Sequence, residues 1–209
     1  MGIKELWISG SEKLWNDALV HYWALVRPEN MKLERDLDRL DPDGIKTMSA
    51  DEFFDFLYNK YFVWKYTAKN RLATTRAHLI KYKSENRMNE LSRIHQKLFS
   101  FDTINILEGL EIANQIRGLG IAGASGLLSL IYPKYFGTID QFAVKALQAV
   151  DDLPEHSLLQ NIKPENLNIK NGYVLIEIMR NKTNELNSEF KNDKWNPRKI
   201  DMVLWSIDR

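Results

Sequence analysis

The chain has 209 residues, with 29 lysines and arginines against 28 aspartates and glutamates, a net charge of +1 and no cysteine. That length suits one large domain or two small lobes, and the missing thiols exclude disulfides, thiolate zinc sites and iron–sulfur clusters. No apolar run approaches the ~20 residues that span a bilayer. The start lacks a basic-then-apolar leader pattern, so no membrane partner and a cytoplasmic location are expected.

Leu14, Trp15, Ala18, Leu19, Tyr22, Trp23 and Val26 recur at helical spacing, with Ser9-x-x-Glu12 as capping box and Pro28 as stop. A charged helix from about Glu29 to Leu40 follows and ends at the turn signal Asp41-Pro42-Asp43-Gly44. Ser49-x-x-Glu52 caps the next helix, whose apolar face is Phe53, Phe54, Leu57, Tyr58 and Tyr61. Helices are expected at about 70–82 and 86–99, the second carrying Met88, Leu91, Ile94 and Leu98. Ile106, Leu107, Leu110, Ala113 and Ile116 continue the helical period. Pro154 and Pro164 bracket an irregular joint, and a long helix with Leu175, Met179, Leu186 and Phe190 runs to Asn192. Asn196 then caps a last helix that Pro197 begins. No period-2 alternation persists, so the fold class is all-α.

The charge is unevenly distributed. Residues 56–84 hold seven basic side chains (Lys60, Lys65, Lys69, Arg71, Arg76, Lys81, Lys83) and no acid. Such a tract reads either as a solvated helix face or as a phosphate-binding face. The interleaved aromatics Tyr58, Tyr61, Phe62, Trp64 and Tyr66 add a stacking surface to the second reading.

The most distinctive stretch is Ile116-Arg117-Gly118-Leu119-Gly120-Ile121-Ala122-Gly123-Ala124-Ser125, with Asp140 eighteen residues past Ala122. Two glycines one residue apart allow a tight turn, and a small-residue helix start behind it offers free amides to a phosphate. Gly118-x-Gly120-x-x-Gly123 also satisfies the dinucleotide-binding pattern, but that pattern requires a preceding strand. The preceding segment is helical by period and carries Asn114, Gln115 and Arg117, so no nucleotide cofactor is expected.

From about residue 105 to 150 the chain resembles the helix-hairpin-helix motif of the base-excision DNA glycosylase superfamily, the HhH-GPD group. The resemblance rests on the apolar–x–Gly–apolar–Gly core from Ile116 to Gly120, the small Ala124 and Ser125, and the apolar Leu127 and Leu128. Ile139-Asp140 leading into Phe142, Val144 and Leu147 completes it. Trp64-Lys65-Tyr66 and Pro197-Arg198 are also similar to wording in members of the group whose activity is undefined. The chain departs from the group in two places: Ala122 stands where the glycosylase/lyases hold lysine, and the usual Pro-Val-Asp-Thr-His run reads Gly-Thr-Ile-Asp-Gln at 137–141.

The resemblance implies a two-lobed helical fold, with 45–152 as the motif-bearing lobe and 1–44 plus 153–209 as the other. It implies that double-stranded DNA is the partner, bound by the hairpin residues Gly118, Gly120, Ala122 and Gly123. Lys65, Lys69, Arg71 and Arg76 of the basic tract would join them, and a monovalent cation would sit at the hairpin carbonyls without further cofactor. It also implies that Asp140 acts at the sugar of a flipped-out nucleotide, where a carboxylate stabilises the oxocarbenium-like transition state and directs water. Aspartate is equally a common helix N-cap, and the two roles are compatible.

Tyr61, Trp64 and Tyr66 are the candidate base pocket, with core packing as the other reading. Ala122 offers no amine for lyase chemistry, and Lys145, five residues past Asp140, points away. The expectation is therefore a DNA-repair hydrolase, a monofunctional glycosylase. The alternative is a non-catalytic DNA-binding or protein-interaction relative that keeps only the scaffold. His21, His78, His95 and His156 lie far apart in sequence, so no metal is expected.

Overall fold

The computed structural model describes residues 2–207 and residue 209; Met1 and Asp208, at the ends of the second expected lobe, lie outside the described residues. Fourteen α-helices and one π turn, with no strand, make up the described residues. They are α1 (Ile3–Trp7), α2 (Glu12–Leu25), α3 (Pro28–Asp38), α4 (Pro42–Lys46), α5 (Ala50–Phe56), the π turn (Leu57–Tyr61) and α6 (Phe62–Lys65). Then follow α7 (Lys69–Ser84), α8 (Met88–Leu98), α9 (Ile106–Asn114), α10 (Gly120–Ile131) and α11 (Gln141–Gln148). The last three are α12 (His156–Leu159), α13 (Ile169–Glu189) and α14 (Pro197–Ser206). The all-α expectation holds.

Local chemistry explains most boundaries. The Ser49 box forms in full: the Glu52 amide donates to Ser49 Oγ at 3.3 Å, and the Ser49 amide donates to Glu52 Oε2 at 2.8 Å. Asn196 caps α14 through the Lys199 amide at 2.9 Å, with Pro197 as its first residue. Two starts differ from the sequence reading. Ser11 rather than Ser9 caps α2, because Ser9 Oγ is occupied by the Ser11 amide at 3.2 Å. Asp41 does not merely close a turn; its Oδ1 accepts the Asp43 amide at 3.1 Å and so starts α4, with Pro42 in its first turn.

The larger difference lies after α5. The apolar face running to Tyr61 reads as one helix, but the Phe62 amide donates to the Leu57 carbonyl, five residues back. That π turn takes up one residue more than an α turn, so Tyr61, Lys65 and Tyr66 face directions that a straight helix would not give them.

A single apolar cluster runs through the molecule, from Trp7, Trp15 and Trp195 through Phe53 and Leu91 to Leu127, Val144 and Val203. α9 and α10 pack on one another, α13 lies on α9, and α14 is wedged between α2, α13 and α11. The core of this wedge is ionic. Arg198 on α14 holds Glu34 Oε1 on α3 at 3.1 Å and Asp201 Oδ2 at 3.1 Å, with side chains only 6%, 9% and 7% exposed. Glu34 also accepts the Tyr22 hydroxyl at 2.5 Å and the Trp64 indole N–H at 2.6 Å. Burial alone would weaken the Arg198 charge, but Asp201, Tyr22 and Glu34 more than offset it and hold its pKa above the ordinary arginine value.

Removing one partner of a buried ion pair strands the others without compensation. Arg198→Met is therefore expected to lower the free energy of unfolding by about 3–5 kcal/mol in urea melts. Lys145→Ala, at an exposed position on α11, should stay within about 0.5 kcal/mol of the parent.

Candidate active site at the glycine turn

The turn between α9 and α10 needs its glycines for two different reasons. Gly118 has φ +95°, and a Cβ there would lie 2.8 Å from the Thr75 carbonyl oxygen on α7. Gly120 has φ +65° with open space around it, so only its backbone conformation calls for glycine. No side chain caps α10, which leaves its first amides without the partner that Ser, Asn or Asp supplies elsewhere in this chain.

Beyond the turn, Gly123 and Gly126 form a groove on α10 into which the segment after the π turn settles. A Cβ at Gly123 would run into the Tyr66 hydroxyl, and one at Gly126 would stand 2.8 Å from the Tyr61 hydroxyl and 3.3 Å from Lys65 Cδ and Cε. The Tyr61 hydroxyl donates to the Gly123 carbonyl, and the Tyr66 hydroxyl donates to the Leu119 carbonyl at 2.8 Å. Lys65 is thus pinned from both sides. Burial pushes the Tyr66 phenol up to about 12, so it stays a donor at any physiological pH.

The loop carrying Asp140 is held just as firmly. The Thr138 amide donates to Asp201 Oδ2 at 2.8 Å, Thr138 Oγ1 meets Ser129 Oγ at 3.0 Å, and the Ile139 amide donates to Ser125 Oγ at 3.0 Å. Gly137 lets this loop lie against Met179 and the Pro197 carbonyl, where a Cβ would clash. Asp140 then caps α11: its Oδ1 accepts the Phe142 and Ala143 amides at 2.9 and 3.2 Å. Both bonds fall on one oxygen, and Oδ2 takes no hydrogen bond among the described residues.

Asp140 lies in a cleft of about 470 Å³ whose walls include Lys65, Tyr66, Arg71, Gly120, Ala122 and Phe142. The loop at residues 164–167 also lines it, bringing Glu165 and Asn166. A second groove of about 550 Å³ runs along α7 and the glycine turn past Arg71, Thr74, His78 and Arg117. Arg71, Leu119 and Gly120 line both, so the two form one continuous surface.

Among the sequence candidates, Asp140, Lys65, Arg71, Tyr66, Gly120 and Ala122 meet at this cleft, and Gly118 lines the adjoining groove. Gly123 is buried beneath Tyr66. Lys69 begins α7 at an exposed position outside both hollows. Arg76 turns inward, donating from Nε and Nη2 to the Tyr58 carbonyl at 3.0 and 2.8 Å and stacking on the Tyr58 ring. Tyr61 is fully buried, and Trp64 gives its indole N–H to Glu34, so of the three aromatics only Tyr66 lines the cleft.

Phe142 supplies a second aromatic wall, with the Arg209 guanidinium 3.9 Å from its ring and from that of Trp205. Neither Phe142 nor the 164–167 loop stood out in the sequence. Phe142 reads there as one more apolar position after Asp140, and the loop only as the second edge of a proline-bracketed joint. Lys145 is exposed, and among the described residues no group of three or more His, Asp or Glu side chains is arranged to hold a metal.

The electrostatics centre on Lys65. Its stem is packed over Gly126, and its Nζ has no hydrogen-bond or ion-pair partner among the described residues. Desolvation pulls its pKa below the usual lysine value; Asp140 and Asp201 oppose that shift, while Arg198 and Arg71 reinforce it. Comparison with protein-family models, with curated proteins and with solved structures finds no match to this chain.

A lysine whose folded pKa is depressed binds fewer protons in the native state than in the unfolded one between the two pKa values, so stability rises with pH there. Below that window the full burial penalty stands. Lys65→Met should therefore be more stable than the parent in urea melts at pH 7, with the gap closing as the pH approaches 10.5, the unperturbed lysine value.

Proposed function

We propose that this cleft excises damaged or mispaired bases from double-stranded DNA, in the manner of the helix-hairpin-helix glycosylases that the sequence resembles. The duplex backbone lies along the groove beside α7 and the glycine turn, where the uncapped amides of α10 and Arg71 take phosphate oxygens. A nucleotide swung out of the stack enters the cleft between Tyr66 and Phe142. Asp140 then stabilises the oxocarbenium-like sugar and directs water to it, and the base leaves by hydrolysis.

The observation that carries this reading is the division of labour within the Asp140 carboxylate. Oδ1 is committed to two α11 amides, whereas Oδ2 takes no hydrogen bond among the described residues, and Asp140 lines a cleft continuous with the open end of α10. A second reading, a protein-interaction module on the same scaffold, draws on Ile104 and Tyr135. Both are exposed, beside an Arg180 that holds their carbonyls.

Incubating the protein with a panel of lesion-bearing duplexes, then treating with alkali, tests the proposal. Base removal should appear as alkali-revealed breaks. Asp140→Asn keeps the helix cap, since asparagine caps as well as aspartate, yet should slow base release by about 10²–10⁴-fold with DNA binding intact. Undetectable duplex binding even at low salt would instead favour the protein-interaction reading.

A further inference from the structure

We propose that Lys65 is the nucleophile of a covalent carbonyl site, its Nζ condensing with an aldehyde that carries a phosphate group. The placement points to this first. Lys65 shares the cleft with Asp140 and Arg71, and its amine holds no acceptor among the described residues. The amines of Lys182 and Lys199 hold carbonyl oxygens, and that of Lys83 is paired with Asp51. A cation left partly buried and unpaired costs stability, and a π turn, itself a rare element associated with functional sites, delivers it there. Tyr61 and Tyr66, four residues before and one after, tie the segment to the Gly123 and Leu119 carbonyls, and Gly126 leaves the lysine stem a single course.

The second support is the state of the amine. Burial favours the neutral form, with Arg71 and Arg198 adding to that and Asp140 and Asp201 opposing it. More of Lys65 is therefore a free amine at a given pH than of a solvated lysine, and a desolvated lysine near other cations is a nucleophile. The reaction balances without any redox partner. The Nζ lone pair attacks the carbonyl carbon, and the C=O π electrons move to oxygen. Two amine protons then leave with that oxygen as water, leaving a neutral imine that takes up one further proton from solvent. Asp140, whose Oδ2 takes no hydrogen bond among the described residues, lines the same cleft and relays those protons. Arg71, on the wall shared by cleft and groove, receives the phosphate.

Two sources share this chemistry: a small free phosphorylated aldehyde, or the ring-opened sugar of an abasic site in DNA. The second rests on the base-excision reading. It gives the cleft an amine at a position different from Ala122, where a lyase lysine is sought.

The full chain is incubated separately with glyceraldehyde 3-phosphate, with unphosphorylated glyceraldehyde, and with a duplex holding a preformed abasic site. Each carries cyanoborohydride, and adducts are located by peptide mass spectrometry. Lys65 should be modified at least tenfold faster than exposed Lys145 in one or both phosphate-bearing arms and slower in the unphosphorylated arm. The adduct should vanish in Lys65→Met, and the labelling rate at Lys65 should level off at a pH below the usual lysine value.

Labelling by both phosphate-bearing arms supports the site and its use on DNA, and labelling by the abasic duplex alone supports it with DNA as the source. Labelling by the small aldehyde alone supports the site and counts against DNA as its substrate. Labelling no faster than Lys145 in either arm overturns the proposal. Because the abasic site is preformed, these outcomes do not depend on base release, which the lesion panel measures separately.

Discussion

The Arg198 guanidinium sits where three parts of the chain must agree. It binds Glu34, and Glu34 holds the Trp64 indole one residue before Lys65. It also binds Asp201, and Asp201 holds the Thr138 amide two residues before Asp140. One buried cation therefore anchors, through two carboxylates, the segments that bring Lys65 and Asp140 to the same cleft. A buried ion pair often contributes little net stability compared with a well-packed apolar substitute. What it adds here is position: bond directions and charge signs leave the Asp140 loop and the Lys65 segment few alternative registers, which apolar packing would not specify so narrowly.

Beside this ionic centre, side chains lie directly on the α10 backbone. Small residues on α10 are required not by its own helicity, which Gly123 and Gly126 weaken by roughly 1 kcal/mol each relative to alanine, but by the tyrosines and lysine lying across it. The helix gives up intrinsic propensity so that two phenol hydroxyls can reach its carbonyls and a lysine stem can run past it. That trade places the cost on the residues over which the Lys65 segment lies. A residue burying an unpaired amine would be replaced by leucine or methionine if stability alone mattered.

Much of this was legible from sequence. Ser49 and Asn196 announce their helices because capping depends on three or four neighbouring residues. The glycine turn and Asp140 stand out for the same local reason. Glu34, by contrast, lies on the charged helix after Pro28, where nothing local marks it as buried, yet it is buried against Arg198. The position of Lys65 was hidden by the π turn. Helical periodicity extrapolates at 3.6 residues per turn, and one extra residue between Leu57 and Tyr61 turns every following side chain off the expected face. The basic tract consequently divides into members no run of charge could distinguish: Arg76 braces a carbonyl, Lys83 pairs with Asp51, and Lys65 and Arg71 enter the cleft.

The structural role of Asp140 and the chemical one proposed for it share one side chain without competing. A capping carboxylate needs only one oxygen, since the two amides it serves converge on Oδ1. That commitment fixes the rotamer and so fixes where Oδ2 points, with no further residue needed to orient it. The loop behind it is clamped by Ser125, Ser129 and Asp201, so the cap cannot loosen without breaking bonds buried in the core. Preorganisation of this kind costs nothing at the moment of reaction, because the geometry was set when the protein folded. The helix start that makes Asp140 look like an ordinary cap in sequence is the same feature that would make it an effective catalytic carboxylate.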